Sequence, residues 1–308
     1  MPVGCYPERQ WLQPLATEPM RLEAISAGVA VPTDRFAGVV HSVFRQACNI
    51  RTDGGGLLTL LAPQLGNAPH GIRVAAPPAL AFSDHLRAGQ RVGCRAAVLR
   101  VAGTGFAVDL AGAKRWRSEL ETLATDLSRP EVALAWQAAW QALERHRRNL
   151  AIDPLSSAVH AGGLALARAG RALSAPVAAA AIRRLIGCGP GLTPAGDDLI
   201  VGFLGGLWST RGEDPARRRF LDALAAIVTA AAEATGEISR AYLRHATRGS
   251  VAESLARLAQ VIADGAPLPE LARVARKALR VGHTSGGDGV SGLLLGLACW
   301  SDRELGHG

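Results

Sequence analysis

The stretch GCGPGLTPAGDDLIVG at residues 187–202 decides the fold of the second half of the chain. Glycines and prolines crowd into its first part, and two adjacent acids, Asp197 and Asp198, then meet the apolar run 199–208. Turn-forming residues followed by acids and an apolar run are typical of a loop that leads into a buried helix. We therefore expect a helix that begins near residue 194 and passes through the centre of a helical domain.

A second copy of this pattern occurs 91 residues further along the chain. Residues 191–205 read GLTPAGDDLIVGFLG and residues 282–296 read GHTSGGDGVSGLLLG, so both contain G-x-T-x-x-G-D before an apolar stretch. This spacing aligns Asp197 with Asp288. We expect two equivalent helices, related by an approximate two-fold axis, whose N-termini meet in one cleft that both aspartates face.

The threonine in each copy is suited to cap a helix. The hydroxyl groups of Thr193 and Thr284 can accept a hydrogen bond from a free N–H of the first turn, and Pro194 fits the first helical position. Glycine after the threonine, at Gly196 and Gly287, leaves backbone N–H groups open to a ligand, and a helix start of this kind favours an anion. The alternative is that both copies are only well-capped central helices.

Two adjacent acids beside a buried helix need partners, because an unpaired charge is costly to bury. Acids next to anion-binding amides indicate a polar substrate, a bridging Mg²⁺ or a pair that transfers protons, and the residues alone leave these open. The break in the helical pattern at 233–239 places further polar groups near the site. The candidate catalytic residues are Asp197, Asp198, Asp288 and His283, of which the three aspartates are also the candidate metal ligands. The candidate substrate-binding residues are Gly191, Thr193, Gly196, Thr284, Ser285, Gly287, Glu237 and Ser239.

The two halves of the chain differ in the periodicity of their apolar residues. Residues 34–118 contain short alternating or β-branched runs between Gly- and Pro-rich turns, which is typical of strands in one small antiparallel barrel. From about residue 128 alanine and leucine recur with a helical period. We therefore expect an α+β protein with an N-terminal segment (1–33), a β-rich, barrel-like domain (34–118) and an all-helical domain (128–308) that contains the internal pseudo-repeat.

Composition restricts the functional classes. The chain has 308 residues, of which 48% are hydrophobic and 19% charged, as expected for a globular protein. Its longest apolar run is roughly half of the ~20 residues that span a bilayer, and its first residues show no signal-peptide pattern. The five cysteines form no CxxC pair, which indicates reduced thiols, a cytoplasmic location and no zinc site.

The formal net charge of +8 raises the question of a nucleic-acid partner. The basic clusters at 145–148 and 217–219 occur in helical sequence without interleaved aromatic residues. We interpret them as solvated helix faces. We therefore expect neither nucleic acid nor a membrane among the partners.

Three segments taken together resemble a bacterial family long catalogued as a domain of unknown function. They are GLTPAGDDLIVG (191–202), TGEISRAYLRHATRG (235–249) and GHTSGGDGVSGLLLG (282–296), and HSVFRQACNI (41–50) resembles the strand region of the family. The family is linked to one subunit of oxamate carbamoyltransferase in anaerobic allantoin breakdown. Gly236 departs from the pattern, since a second hydroxyl residue is expected there.

The resemblance implies carbamoyl transfer between carbamoyl phosphate and oxamate, or another small carboxylate-bearing amide. It also implies partner subunits that resemble acyl-CoA-synthetase components, and it assigns no catalytic residues. Anionic substrates of this kind agree with anion-binding helix starts. The alternative is a non-catalytic subunit that binds an anion or a small carboxylate and serves regulation or assembly.

Overall fold

The computed structural model describes residues 20–32, 34–148, 154–282 and 284–301. The strands are β1 (Met20–Gly28), β2 (Phe36–Val43), β3 (Ala47–Thr52), β4 (Leu57–Leu61), β5 (Gly71–Val74), β6 (Arg91–Arg95), β7 (Val98–Val101), β8 (Phe106–Asp109) and β9 (Lys114–Trp116). The helices are α1 (Phe82–His85), α2 (Pro130–Arg148), α3 (Pro154–Arg171), α4 (Ala175–Leu185), α5 (Ala195–Thr210), α6 (Pro215–Ala231), α7 (Glu237–Ala246), α8 (Glu253–Ala263), α9 (Leu268–Leu279) and α10 (Ser285–Ala298). Within these ranges, strands occur only in the first part and long helices only in the second, as predicted.

Eight strands form a closed barrel in the order β1-β5-β4-β3-β2-β6-β7-β8, and β8 pairs back to β1. The ninth strand, β9, extends the sheet along the second half of β1. The predicted barrel is confirmed, and most of its pairings are antiparallel, but β1–β8 and β4–β5 are parallel. The sheet also includes β1, which precedes the strand region predicted at 34–118.

The barrel core follows from alternation along the strands. In β6 every second residue is buried, and β2 alternates in the same way over its first five residues. Alternation of this kind directs one face of each strand inward, where apolar side chains fill the barrel. Fully buried side chains of this core include Ile50, Leu60, Ile72, Phe82 and Leu99.

The helical unit is built around α5 and α10, which are apolar on nearly every side. Both helices are buried along most of their length and share one core with residues of the surrounding helices. The predicted central helices without a polar face are therefore confirmed. None of the helices that the structure describes combines the length and apolarity that a bilayer crossing requires.

The barrel is held against the helical unit by polar contacts at its rim. The carboxylate of Glu253, at the start of α8, accepts hydrogen bonds from the backbone N–H and the side-chain amide of Asn67, both at 2.7 Å. Glu237, at the start of α7, accepts a hydrogen bond of 3.1 Å from Arg51. The connecting segment packs with the helices, because Leu120 is fully buried in their core. The start of α7 and the start of α8 thus both face the barrel.

Candidate active site

Helices α5 and α10 cross with their backbones in direct contact. A Cβ atom placed on Gly202 would lie 1.9 Å from the carbonyl oxygen of Gly289, and one placed on Gly292 would lie 1.9 Å from that of Leu199. A side chain at either glycine would therefore collide with the main chain of the other helix. Each helix thus makes the same glycine-to-carbonyl contact with the other, as expected for an approximate two-fold axis through the crossing.

A second pair of glycines continues this reciprocal contact. A Cβ atom on Gly206 would lie 2.5 Å from the carbonyl oxygen of Leu293, and one on Gly296 would lie 2.4 Å from that of Phe203. The equivalent glycines are 90 residues apart in both pairs, and so are the residues whose carbonyl groups they meet. The internal repeat predicted from the sequence is thus confirmed as a packing unit.

The same offset of 90 holds at the starts of the two helices. A Cβ atom on Gly196 would lie 2.0 Å from the carbonyl oxygen of Leu185 at the end of α4, and one on Gly286 would lie 2.4 Å from that of Ala278 near the end of α9. Each glycine therefore admits the last turn of the preceding helix. Each repeat consists of a helix, a loop and a central helix.

This register corrects the predicted alignment of the acids. An offset of 91 aligned Asp197 with Asp288, whereas the offset of 90 makes Asp198 the equivalent of Asp288. Threonine, glycine and aspartate have the same spacing in both copies, but α5 begins two residues after Thr193 whereas α10 begins one residue after Thr284. The motif is therefore shifted by one residue relative to the helices. Both equivalent aspartates are half-buried in the first turn of their helix, whereas Asp197 has no exposed surface.

Asp198 and Asp288 lie where the first turns of α5 and α10 meet. The carbonyl oxygen of Asp198 is 3.8 Å from the position of a Cβ atom on Gly289, so the two turns are in contact at this level. The hydroxyl groups of Thr193 and Ser285 lie 2.9 Å apart and join the two repeats. An acid pair framed by hydroxyl groups therefore occupies the meeting point.

The environment of Asp198 favours its protonated form. Burial raises the pKa of Asp198 to about 8, and the negative charge of Asp288 adds to this rise. Hydrogen bonds from the side chains of Ser285 and Thr193 oppose the rise without cancelling it. At neutral pH the pair thus holds a proton.

Asp197 has a different environment. One carboxylate oxygen accepts a hydrogen bond of 2.8 Å from the backbone N–H of Gly187, and the other accepts hydrogen bonds from Thr235 at 2.5 Å and Ser239 at 2.7 Å. These donors belong to the loop before α5 and to the segment that begins α7. The buried carboxylate therefore fixes the two loops that flank the acid pair.

The helix starts differ from the prediction in their capping. Helix α5 begins at Ala195 with Pro194 as its N-cap, and α10 begins after Thr284, but neither cap residue supplies a side-chain hydrogen bond. The predicted hydroxyl caps are therefore wrong, since Thr193 contacts Ser285 instead. The predicted open amide of Gly196 is also wrong, because its N–H donates to the carbonyl oxygen of Cys188 at 2.9 Å.

Tyr242 connects the acid pair to the barrel. Burial raises the pKa of the Tyr242 hydroxyl to about 12, and the charge of Asp198 contributes, so the two groups are neighbours. The tyrosine ring meets the His70 ring edge-on with 4.7 Å between centroids, and His70 stacks on His245 at 5.0 Å. Burial lowers the pKa of His70 to about 3 and that of His245 to about 4. These rings are therefore neutral at physiological pH.

Comparison with protein families gives two matches that follow this architecture. The family described as oxamate carbamoyltransferase subunit AllH matches residues 185–297, and the AllH family N-terminal domain matches residues 23–115. The chain belongs to the AllH family. The family name implies a subunit of an oxamate carbamoyltransferase. Searches among curated proteins and among solved structures found no match.

The two AllH matches correspond to the two units of the structure. The first covers nearly all of the barrel, and the second begins at the end of α4 and ends near the end of α10. The second match therefore contains both repeats, the acid pair and α7. The helices α2 and α3 lie between the matched ranges.

The remaining predicted residues occupy several places in the AllH-family chain. Ser239 donates to Asp197, and Glu237 faces Arg51 and His41 of the barrel, with 3.6 Å between the latter's Nε2 and the carboxylate. Gly191 is exposed in the loop before α5, and Gly287 is buried at the start of α10. His283 lies outside the described residues.

Three neighbours of the candidate site were not predicted from the sequence, namely Tyr242, His70 and His245. Tyr242 and His245 were within the quoted segment 235–249, and tyrosine is rare in this chain, with two occurrences. His70 follows a loop of the barrel, and only the docking of the barrel on α7 brings it close. The sequence therefore offered a signal for Tyr242 and His245, which lie in that segment, but none for His70.

A metal ion at the acid pair would have few protein ligands. Among the described residues, no group of three or more His, Cys, Asp or Glu side chains is arranged to hold a metal ion. Asp198 and Asp288 supply two carboxyl groups. Mg²⁺ held by two carboxylates takes its other ligands from water or from substrate phosphate.

Proposed function

We propose that this chain is a subunit of a carbamoyltransferase that moves a carbamoyl group between carbamoyl phosphate and oxamate, or a similar small carboxylate-bearing amide. Family membership supports the reaction class. The observation that carries the proposal is the pairing of Asp198, whose pKa is raised to about 8, with Asp288 across the helix crossing. Such a pair can give and accept a proton near neutral pH.

The reaction requires one proton transfer that this pair is suited to perform. In the direction of synthesis, the amide nitrogen of oxamate forms a bond to the carbamoyl carbon, the bond from that carbon to the phosphate oxygen breaks, and the nitrogen loses a proton. In the reverse direction, a phosphate oxygen attacks the carbamoyl carbon of oxalurate, the C–N bond breaks, and the leaving nitrogen gains a proton. We assign Asp198 as the proton donor in this second direction, because its carboxyl group is protonated at neutral pH.

The neighbouring groups have supporting roles in this proposal. Thr193 and Ser285 offer hydroxyl groups to the carboxylate or carbonyl oxygens of the substrate, next to the acid pair. Tyr242 borders the site toward the barrel and keeps its proton, because its pKa is raised. Asp197 acts as a positioning residue, since its oxygens are engaged by Gly187, Thr235 and Ser239.

The proposal includes dependence on other polypeptides. A family named for a subunit implies an enzyme assembled from several chains, and we propose components resembling acyl-CoA synthetases as the partners. A role in allantoin breakdown in the cytoplasm fits these substrates. A binding subunit without chemistry of its own is the alternative.

The test is an assay of the complex reconstituted from this chain and its partner subunits. Supplied with carbamoyl phosphate and oxamate, the wild-type complex should release phosphate and form oxalurate. Asp198→Asn and Asp288→Asn should each lower kcat by about 10²-fold or more, the usual effect of removing a general acid or base. Asp222→Asn, which changes an exposed aspartate of α6, is the matched control and should retain activity.

Two results would contradict the proposal in different ways. Wild-type rates in both site variants would favour the non-catalytic binding subunit. An assembled wild-type complex that transfers nothing to oxamate, but does transfer to another amide, would show that the substrate is wrong. Circular dichroism and thermal unfolding of each variant separate loss of chemistry from loss of the fold.

A further inference from the structure

One face of α9 carries a stripe of basic side chains. Three of them, Arg273, Arg276 and Lys277, are spaced at i, i+3 and i+4 and so lie on the same side of α9. The fourth, Arg280, is the cap residue directly after the last turn of α9. All four are exposed, and none forms an ion pair with an acidic side chain of the described residues. Like charges at these spacings repel each other. The stripe therefore lacks an anionic partner within the described part of the chain.

The stripe borders a cleft of about 780 Å³ between the helical unit and the barrel. The barrel contributes the side chains of Gln46 and Gln64, whose amide groups can donate hydrogen bonds. A further cation, Arg257 of α8, lines the same cleft. The cleft is therefore concave, strongly basic and supplied with neutral donors.

The acidic groups near the cleft have other partners. Glu253, which also lines it, accepts two hydrogen bonds of 2.7 Å from Asn67 and holds the barrel in place. Glu270 pairs with Arg257 at 2.7 Å. The attraction of a helix C-terminus for cations accounts for Arg276 and Lys277 in the last turns of α9. It does not explain why the basic stripe faces a cavity lined with glutamines.

The cleft reaches the neighbourhood of the acid pair. Its lining ends at Gly282, and a Cβ atom on that residue would lie 3.4 Å from the side chain of Ser285. Ser285 in turn contacts Thr193 and hydrogen-bonds to Asp198. A second cavity of about 320 Å³ lies on the other side of Arg276 and Arg280. These two arginines thus separate two cavities near the start of α10.

We infer that this basic cleft binds a phosphate dianion, either free or as the phosphoryl group of a small acyl phosphate. Arginine and lysine are the side chains that most often bind phosphate, through charge-assisted hydrogen bonds. The identification of the acyl phosphate as carbamoyl phosphate rests on the proposed function, whereas the binding of phosphate itself does not.

The experiment is a titration of the full-length chain with inorganic phosphate at constant ionic strength, in which isothermal titration calorimetry measures binding. Saturable binding is expected for the wild type. The variant Arg276→Gln/Arg280→Gln should bind phosphate roughly tenfold or more weakly, because two charge-assisted contacts are lost. The matched control Arg95→Gln/Arg100→Gln removes two exposed charges from the barrel and should bind phosphate as the wild type does. A parallel titration with carbamoyl phosphate should show the same dependence on Arg276 and Arg280.

Three outcomes would overturn the inference. They are the absence of saturable phosphate binding, an equal loss of affinity in both double variants, and unchanged phosphate affinity in Arg276→Gln/Arg280→Gln together with failed assembly of the complex. The last result would identify the cleft as a surface for an acidic partner subunit. Phosphate binding without transfer to oxamate would support the inference and contradict the proposed function, so the two failures are distinguishable.

Discussion

Asp198 and Asp288 occupy equivalent positions in the two halves of the repeat, each in the first turn of a central helix. Only the first half has a second acid beside this position, and that acid, Asp197, is buried and bound by three donors. The repeat therefore supplies a symmetric pair of acids, Asp198 and Asp288. The surroundings of the two differ, because Asp197 and its loop contacts lie beside Asp198 only.

Asp197 should contribute more to the free energy of unfolding than either Asp198 or Asp288. Asp197→Ala removes the acceptor of three buried donors, and we expect a loss of about 3 kcal/mol or more in the free energy of unfolding. Asp197→Asn should cost less, because the hydroxyl groups of Thr235 and Ser239 can rotate to accept from an amide. Urea unfolding of both variants checks this order. Equal stability of Asp197→Ala and the wild type would contradict the role in positioning.

The stability of the protein should depend on pH through Asp198. Its pKa is raised from an ordinary 3.8 to about 8, so between these values the folded state holds a proton that the unfolded state has lost. Stability from this group therefore decreases as pH rises, by at most about 1.4 kcal/mol per pH unit, and levels off above pH 8. The variant Asp198→Asn lacks this dependence and should gain stability relative to the wild type from pH 5 to 8.

Denaturant unfolding at a series of pH values measures this difference. Asp222→Asn serves as the control and should follow the wild-type curve, because this aspartate is exposed. A constant difference between Asp198→Asn and the wild type over the whole range would show that Asp198 is ionised in the folded protein. The proton donor in the proposed reaction would then have to be another group.

The helix crossing should be intolerant of any side chain at its central glycines. In Gly202→Ala, the new methyl group would meet the main chain of α10 at 1.9 Å, and overpacking of this kind costs about 1–3 kcal/mol or more. Gly205→Ala is the matched control on the same helix, since its nearest contact is a side-chain atom of Val251 at 3.3 Å. Thermal unfolding should show a clear decrease for the first variant and little change for the second.

The contact of Glu253 with Asn67 should stabilise the docking of the barrel. Glu253→Ala leaves two donors of Asn67 without their acceptor, and we expect a loss of about 1–3 kcal/mol. Glu270→Ala breaks an exposed pair with Arg257 and should cost less than about 1 kcal/mol. Limited proteolysis of the segment between the two units provides a second readout. Equal effects of both substitutions would show that the contact does not hold the units together.

The division into a barrel and a helical unit could be predicted because the two periodicities differ along the chain. The central helices could also be predicted, since residues 199–208 contain no charged side chain. Two features of the barrel could not: β1 precedes the strand region that was identified, and its parallel pairing with β8 joins residues far apart in sequence.

The meeting of the two helix starts was predicted more accurately than the residues that face each other there. The repeat pointed to the meeting of two helix starts, but an alignment of motifs cannot show how two helices are set against each other. That depends on the close contacts of Gly202 and Gly292, which identify Asp198 as the equivalent of Asp288. The approach of His70 likewise depends on packing between the two units.

The glycine contacts between α5 and α10 also set a limit on motion. Since no side chains lie between the two backbones at Gly202 and Gly292, a change of rotamer cannot widen or narrow the crossing. The backbone positions that carry Asp198 and Asp288 are therefore held at a fixed spacing by direct contact between the two main chains. A change in the spacing of the two helix starts would therefore require movement of the main chain of α5 or α10, so the crossing is the fixed part of the helical unit.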